Sequence, residues 1–149
     1  MIFRSITEFE SYVKSKMPGA VQMAREKCFQ IIDRFVKEYY AEYSPVMYER
    51  TYQLYRSLVK SEVRATSNGY ECEIYFDASN LDYKIKTFNG VTYPNPRGDA
   101  GATLNSAAHG KHGGKASGTA IWDEPIAILS TEAVEILKSM LIASGIPIR

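Results

Sequence analysis

Val21, Ala24, Cys28, Ile31, Ile32, Phe35 and Tyr39 recur at steps of mostly three and four. Such steps bring side chains to one face of an α-helix, so the segment reads as a long amphipathic helix whose apolar stripe must be buried. Arg25, Glu26, Arg34, Lys37 and Glu38 fall opposite, and mixed-sign charges on a helix are expected to face solvent. Ser44-Pro45 should end the helix, because proline lacks a donor and disfavours helical geometry in the residue before it. Upstream, Ser5 and Glu8 have the spacing of a capping box and predict a short helix from about Ile6 to Lys16. Met17-Pro18-Gly19 then predicts a break, with Pro18 opening the long helix.

Beyond the helix, Asn68-Gly69 lies between two strand-like runs and suits a two-residue type I′ turn. That turn would place Ala65 opposite Cys72, Val63 opposite Ile74 and Ser61 opposite Phe76 on one face. Thr66 with Glu71, Arg64 with Glu73, Glu62 with Tyr75 and Lys60 with Asp77 would share the other. One face is then mostly apolar and the other pairs opposite charges twice, as a half-buried hairpin requires. A third, shorter strand is expected from Leu81 to Ile85.

Between Phe88 and Gly118 periodicity of both kinds disappears, and seven of the ten glycines and two of the six prolines lie there. This predicts a long glycine-rich loop or arm, of a length usually mobile or engaged in function. Phe88, Val91, Tyr93 and Leu104 are the apolar residues available to anchor it. Order returns with Ile121-Trp122 and a last helix from about Thr131 to Ser144, capped by Ser130 and closed by Gly145 and Pro147. Its expected buried side is Ala133, Val134, Ile136, Leu137, Met140 and Leu141.

The fold class implied is α+β in one domain, 1–149, with the two helices on a small antiparallel sheet. Its parts are a helical N-terminal region (6–43), antiparallel strands (57–86), the glycine-rich arm (88–118) and a C-terminal helix (131–144). An apolar share of 45% is enough to build the core.

Eighteen basic and seventeen acidic side chains leave no electrostatic footprint for a phosphate backbone, so nucleic acid is not an expected partner. No run approaches the roughly 18 apolar residues of a membrane span, and acids stand where a signal peptide would be apolar. No membrane partner is expected. Cys28 and Cys72 lie in apolar patterns without metal-clamp spacing, which suits buried, reduced thiols.

One cluster carries the inventory of a zinc hydrolase: His109, His112 and Asp123. Its two imidazoles are three apart in glycine-rich sequence, whereas such enzymes hold them four apart on a helix with a glutamate between. The metal-dependent hydrolase therefore stands as an alternative, beside a bacterial adaptor module, while the main expectation is no metal, no cofactor and no catalysis. Gly110–Lys115 lacks the order of a phosphate loop. Eight of eleven tyrosines, Tyr12, Tyr39, Tyr40, Tyr43, Tyr48, Tyr52, Tyr55 and Tyr70, fall in the first half, where they suit a helix–hairpin junction or subunit contacts.

A long helix, then Ser44-Pro45, Arg50-Thr51 and Leu54-Tyr55-Arg56-Ser57, then a hairpin, resembles the head–tail joining or tail-component family of long-tailed phages. In that family the leucine–serine segment enters the first strand. Ala107–Gly114 and Ile121-Trp122 are similar to prophage members from Gram-positive hosts. The tyrosine–glutamate–phenylalanine–glycine segment that many members carry after the hairpin has no counterpart here. The resemblance implies no catalytic residues, other neck or tail proteins as partners, a homo-oligomer in the particle, and a place in the host cytoplasm during assembly and then in the virion. Phe88, Tyr93, Leu104, His109, His112 and Trp122 are the expected interaction residues.

Overall fold

A computed structural model describes residues 2–42, 52–95, 98–112, 115–116 and 118–148, with 112, 115 and 116 through their backbone alone. Its first helix begins as the sequence expects. Ser5 Oγ accepts the Glu8 N–H at 3.1 Å, and the Glu8 carboxylate takes the Arg4 N–H at 2.7 Å. The helix, α1 (Ile6–Glu42), then runs for 37 residues straight through Pro18, so the expected break at Met17-Pro18-Gly19 does not occur. Proline leaves the carbonyl four residues earlier without its helical donor. That carbonyl belongs to Lys14, and the Tyr70 hydroxyl donates to it at 3.3 Å. Val13, Met17 and Ala20, on both sides of the proline, also pack into one core with Leu141 and Ile146, and packing of this kind sustains helices that local propensity would interrupt.

The expected stripe is the inward face. Ala24, Ile32, Phe35 and Tyr39 are buried, joined by Val36, while Val21, Cys28 and Ile31 are half-buried. On the charged side Arg34, Lys37 and Glu38 are exposed, but Arg25 is buried. Its guanidinium donates to the Ser61 carbonyl and, at 2.9 Å, to Glu26, whose other oxygen meets Lys60.

After α1 come α2 (Gln53–Ser57), β1 (Leu58–Lys60), β2 (Arg64–Thr66), β3 (Gly69–Glu71) and β4 (Ile74–Phe76). Leu54-Tyr55-Arg56-Ser57 is thus a helical turn that leads into the first strand. Ser44-Pro45 and Arg50-Thr51 lie outside the described residues.

The hairpin at β2 and β3 exists, with a register two residues from the expected one: Arg64 faces Glu71, Ala65 faces Tyr70 and Thr66 faces Gly69. Ser67-Asn68 make the turn, and Gly69 opens β3 at φ 151°. A two-residue slip preserves the faces, so Arg64 still reaches both Glu71 (2.6 Å) and Glu73 (3.6 Å). Farther out, Ser61 N–H donates to the Glu73 carbonyl at 2.9 Å. Glu62 and Val63 therefore lie across from Cys72 alone, the count of a β-bulge, and β1 pairs with β4 as a separate ribbon.

The 88–118 segment is the largest correction. β5 (Ile85–Phe88) and β6 (Val91–Pro94) form a four-residue-register hairpin, and α3 (Ala100–Ala108), β7 (Lys111–His112) and β8 (Lys115–Ala116) follow. Asp99 Oδ1 caps α3 by accepting the Ala102 N–H at 3.0 Å. Gly90 and Gly110 mark corners, not a structureless arm: Gly110 turns at φ 72°, where a Cβ would stand 2.3 Å from the Gly118 carbonyl oxygen. The expected strand at Leu81–Ile85 begins only at Ile85.

The last helix, α4 (Asp123–Ala143), starts eight residues before the expected Thr131, and Ser130 lies inside it. Asp123 and Glu124 favour a helix start, and proline is tolerated in a first turn. Its end is a Schellman motif: Gly145, at φ 86°, donates to Ile142, and Ile146 donates to Leu141 at 3.0 Å. Of the expected buried side, Val134 is instead 63% exposed.

The fold is α+β, with long N- and C-terminal helices. Among the described residues the strands form four two-stranded ribbons and not one sheet. Contacts group the chain into two units, Met1–Phe29 with Lys60–Ile74 and Leu129–Arg149, and Gln30–Val59 with Tyr75–Ile128. Among the described residues no helix is long and apolar enough to cross a membrane.

Candidate functional site

Asn89 and Gly90, at φ 50° and 74°, join β5 to β6. Two positive φ values in a two-residue loop define the type I′ class, whose twist matches that of paired strands. The register sets Phe88 against Val91 and Lys86 against Tyr93 on one face, with Thr87 against Thr92 and Ile85 against Pro94 on the other. Both faces expose apolar side chains: Ile85 is 56% accessible, Val91 51%, Tyr93 45% and Phe88 39%. A lone two-stranded hairpin is marginal in water.

The root of this hairpin is fastened by hydrogen bonds, while Phe88 and Val91 beside the turn are exposed. Asn95 N–H donates to the Lys84 carbonyl at 2.6 Å and Asn95 Nδ2 to the Tyr83 carbonyl at 2.9 Å. Asp82 receives the Lys84 N–H and gives its own N–H to Gln53 Oε1. Such an element offers apolar anchors and strand edges together, the chemistry by which one chain adds to another's sheet.

The other expected site residues have different settings. Leu104 is half-buried on α3. Trp122 is half-buried with its ring edge-on to Phe76, centroids 5.8 Å apart. His109 caps the C-terminus of α3, and its Nδ1 lies 2.5 Å from Asp123 Oδ2 at the start of α4. The backbone of His112 is in β7, and its side chain lies outside the described residues. Among the described residues no three histidine, cysteine, aspartate or glutamate side chains are grouped to hold a metal.

The last turn of α1 fixes this corner. Tyr39 donates its hydroxyl to the Lys111 carbonyl at 3.0 Å, and Glu42 accepts from both the N–H and the hydroxyl of Thr119. Tyr40 stacks on Tyr52 at 5.2 Å and meets Tyr39 and Tyr55 edge-on. Those tyrosines join α1 to α2, while Tyr43 and Tyr48 lie outside the described residues. Burial pushes the thiols of Cys28 and Cys72 up from their ordinary range, Cys28 further through its neighbour Cys72, which disfavours the nucleophilic thiolate.

Phe88 and Tyr93 thus share an exposed hairpin face that sequence reasoning had assigned to a loop. Ile85, on the other face, was missed. The signal that could have found the hairpin is Asn89-Gly90 between Ile-Lys-Thr-Phe and Val-Thr-Tyr. No curated protein and no solved structure matches the chain. The YomN family matches residues 5–141, and that name is of the phage or prophage type. With nearly its whole length matched, the chain belongs to the YomN family.

Proposed function

We propose that the chain is a structural component of a tailed phage or prophage particle, acting at the head–tail connector or tail-completion step through protein–protein contacts. It assembles in the host cytoplasm, stays in the virion, and performs no catalytic step. Other neck or tail proteins and further copies of itself are its partners. The observation that carries this reading is the β5–β6 hairpin, rooted by hydrogen bonds and bare at Ile85, Phe88, Val91 and Tyr93. Membership of a phage-associated family and the resemblance around Leu54–Ser57 and Ala107–Gly114 agree with it.

The test is genetic and visual. Deleting the gene from an inducible phage should leave filled heads and finished tails unjoined in electron micrographs. The double substitution Phe88→Asp and Val91→Asp should give the same phenotype with a stably folded chain. Joined, infectious particles from the deletion strain would remove this function.

A further inference from the structure

Cys28 and Cys72 are unbridged and half-buried, and both belong to the contact between α1 and the first hairpin. Along the hairpin's second strand, half-buried Tyr70, Cys72 and Ile74 alternate with exposed Glu71, Glu73 and Tyr75, so the first three share the inward face. Two bonds seat that strand on α1. The Tyr70 hydroxyl donates to the Lys14 carbonyl, and the Arg25 guanidinium donates to the carbonyl of Ser61, the residue paired with Glu73. Cys72 lies between these attachments, and Cys28 is one turn on from Arg25 along α1.

The two thiols and the guanidinium act on one another. Burial and then the Cys72 charge push the Cys28 thiol up, while burial pushes the Cys72 thiol up against an opposing pull from Arg25. The Arg25 Nε is also buried with no hydrogen-bond partner among the described residues. An unpartnered charged donor favours an anion formed beside it. Cys72 is therefore the cysteine whose thiolate the fold assists. It also stands opposite Glu62 and Val63, at the bulge, where an interrupted ladder lets a side chain be re-aimed.

We propose that Cys28 and Cys72 are a thiol–disulfide exchange site, which a low-molecular-weight disulfide oxidises to a bridge that clamps the hairpin onto α1. The Cys72 thiol gives its proton to solvent, and the thiolate attacks one sulfur of the small disulfide, whose other sulfur leaves as a thiolate and is protonated. Cys28, deprotonated in turn, attacks the Cys72 Sγ and displaces the second small thiol. The protein's two S–H bonds become one S–S bond, and the small disulfide is reduced to two thiols. Reducing surroundings hold the pair open, and a disulfide-containing medium closes it. Closure ties off a long loop of the unfolded chain and so stabilises the fold. The inference stands apart from the β5–β6 reading, because purified full-length protein tests it without a phage particle.

The reduced full chain, kept dilute at neutral pH with oxidised glutathione, should lose the mass of two hydrogens, and its digest should contain the Cys28 peptide joined to the Cys72 peptide. Its melting temperature should rise and return to the starting value on reduction. Cys28→Ala should stop at a glutathione adduct on Cys72. Cys72→Ala should take up glutathione several-fold more slowly, since Cys28 has no guanidinium to favour its thiolate. An unaltered mass, two adducts without a bridge, a bridge between two chains, a bridged chain that melts no higher, or faster uptake by Cys72→Ala than by Cys28→Ala would each overturn the proposal.

Discussion

Tyr70 shows how one hydroxyl can carry a helix through a proline. Pro18 leaves the Lys14 carbonyl without an amide donor, and the phenol supplies one from β3. Replacing Tyr70 with phenylalanine should therefore lower stability by about 0.5–1.5 kcal/mol in urea unfolding. The loss should shrink in a Pro18→Ala background, where the helical N–H is restored; equal losses in both backgrounds would separate the hydroxyl from the proline. Glu26 makes a second residue-scale prediction. Hydrogen bonds from Lys60 and then Arg25 hold its carboxyl below the ordinary range. A depressed folded-state value means that this stabilisation is present above the unfolded carboxylate range and is lost as pH falls through the folded value. Glu26→Gln should abolish that part of the acid-side decline, an effect of about 1 kcal/mol or less because the group is partly exposed. An unchanged slope of stability against pH would show that the ion pair is not coupled to folding.

At the level of elements, the same dipeptide behaves in two ways. Asn89-Gly90 takes the type I′ turn, whereas at Asn68-Gly69 the turn moves back to Ser67-Asn68. The slip sets Tyr70 beside Ala65, from where its hydroxyl reaches Lys14. A tertiary bond thus outweighs a local turn preference. Gly90→Val, at φ 74°, should cost about 1–2 kcal/mol locally and remove the weak amide protection that β5 and β6 have in the free chain. Because that hairpin buries little, the melting temperature should barely move; protection unchanged from that of the unsubstituted chain would mean the turn is not type I′. The long stripe of α1, the helix cap at Ser5, the charge face of the first hairpin and the closing Gly145 were legible because each rests on neighbours in sequence. The passage through Pro18, the burial of Arg25 and the slipped register were not, since partners distant in sequence decide them. The β5–β6 hairpin was legible in principle: Asn89-Gly90 between two strand-like runs is a turn signal, masked by the other glycines around it. His109 and Asp123 were named from residue type alone, and the sequence could not say that they would meet across the end of α3 and the start of α4.

Across the whole molecule, the former arm divides into a pinned part and a bare part, and the two should respond differently to assembly. Tyr39 and Glu42 tie the corner at Lys111 and Thr119 to α1, and Ile121 N–H donates to the Ala107 carbonyl at 3.1 Å. Opening that corner requires breaking several bonds in or beside buried surface, so its amides should exchange slowly in the free chain. Among the described residues β5 and β6 pair only with each other, and they expose apolar side chains on both faces, which places them at the low-stability end of local opening. A partner that covers Phe88, Val91 and Tyr93 would raise the free energy of that opening by its own binding energy. Hydrogen exchange on the free subunit and on assembled particles should therefore show strong protection through Ala20–Val36 of α1 in both. Protection of Ile85–Pro94 should be weak in the free chain and rise only in the particle, while the Thr119–Ile121 amides stay unchanged. Strong protection of the hairpin in the free chain, or none gained in the particle, would mean that β5 and β6 are not where this protein meets its neighbours.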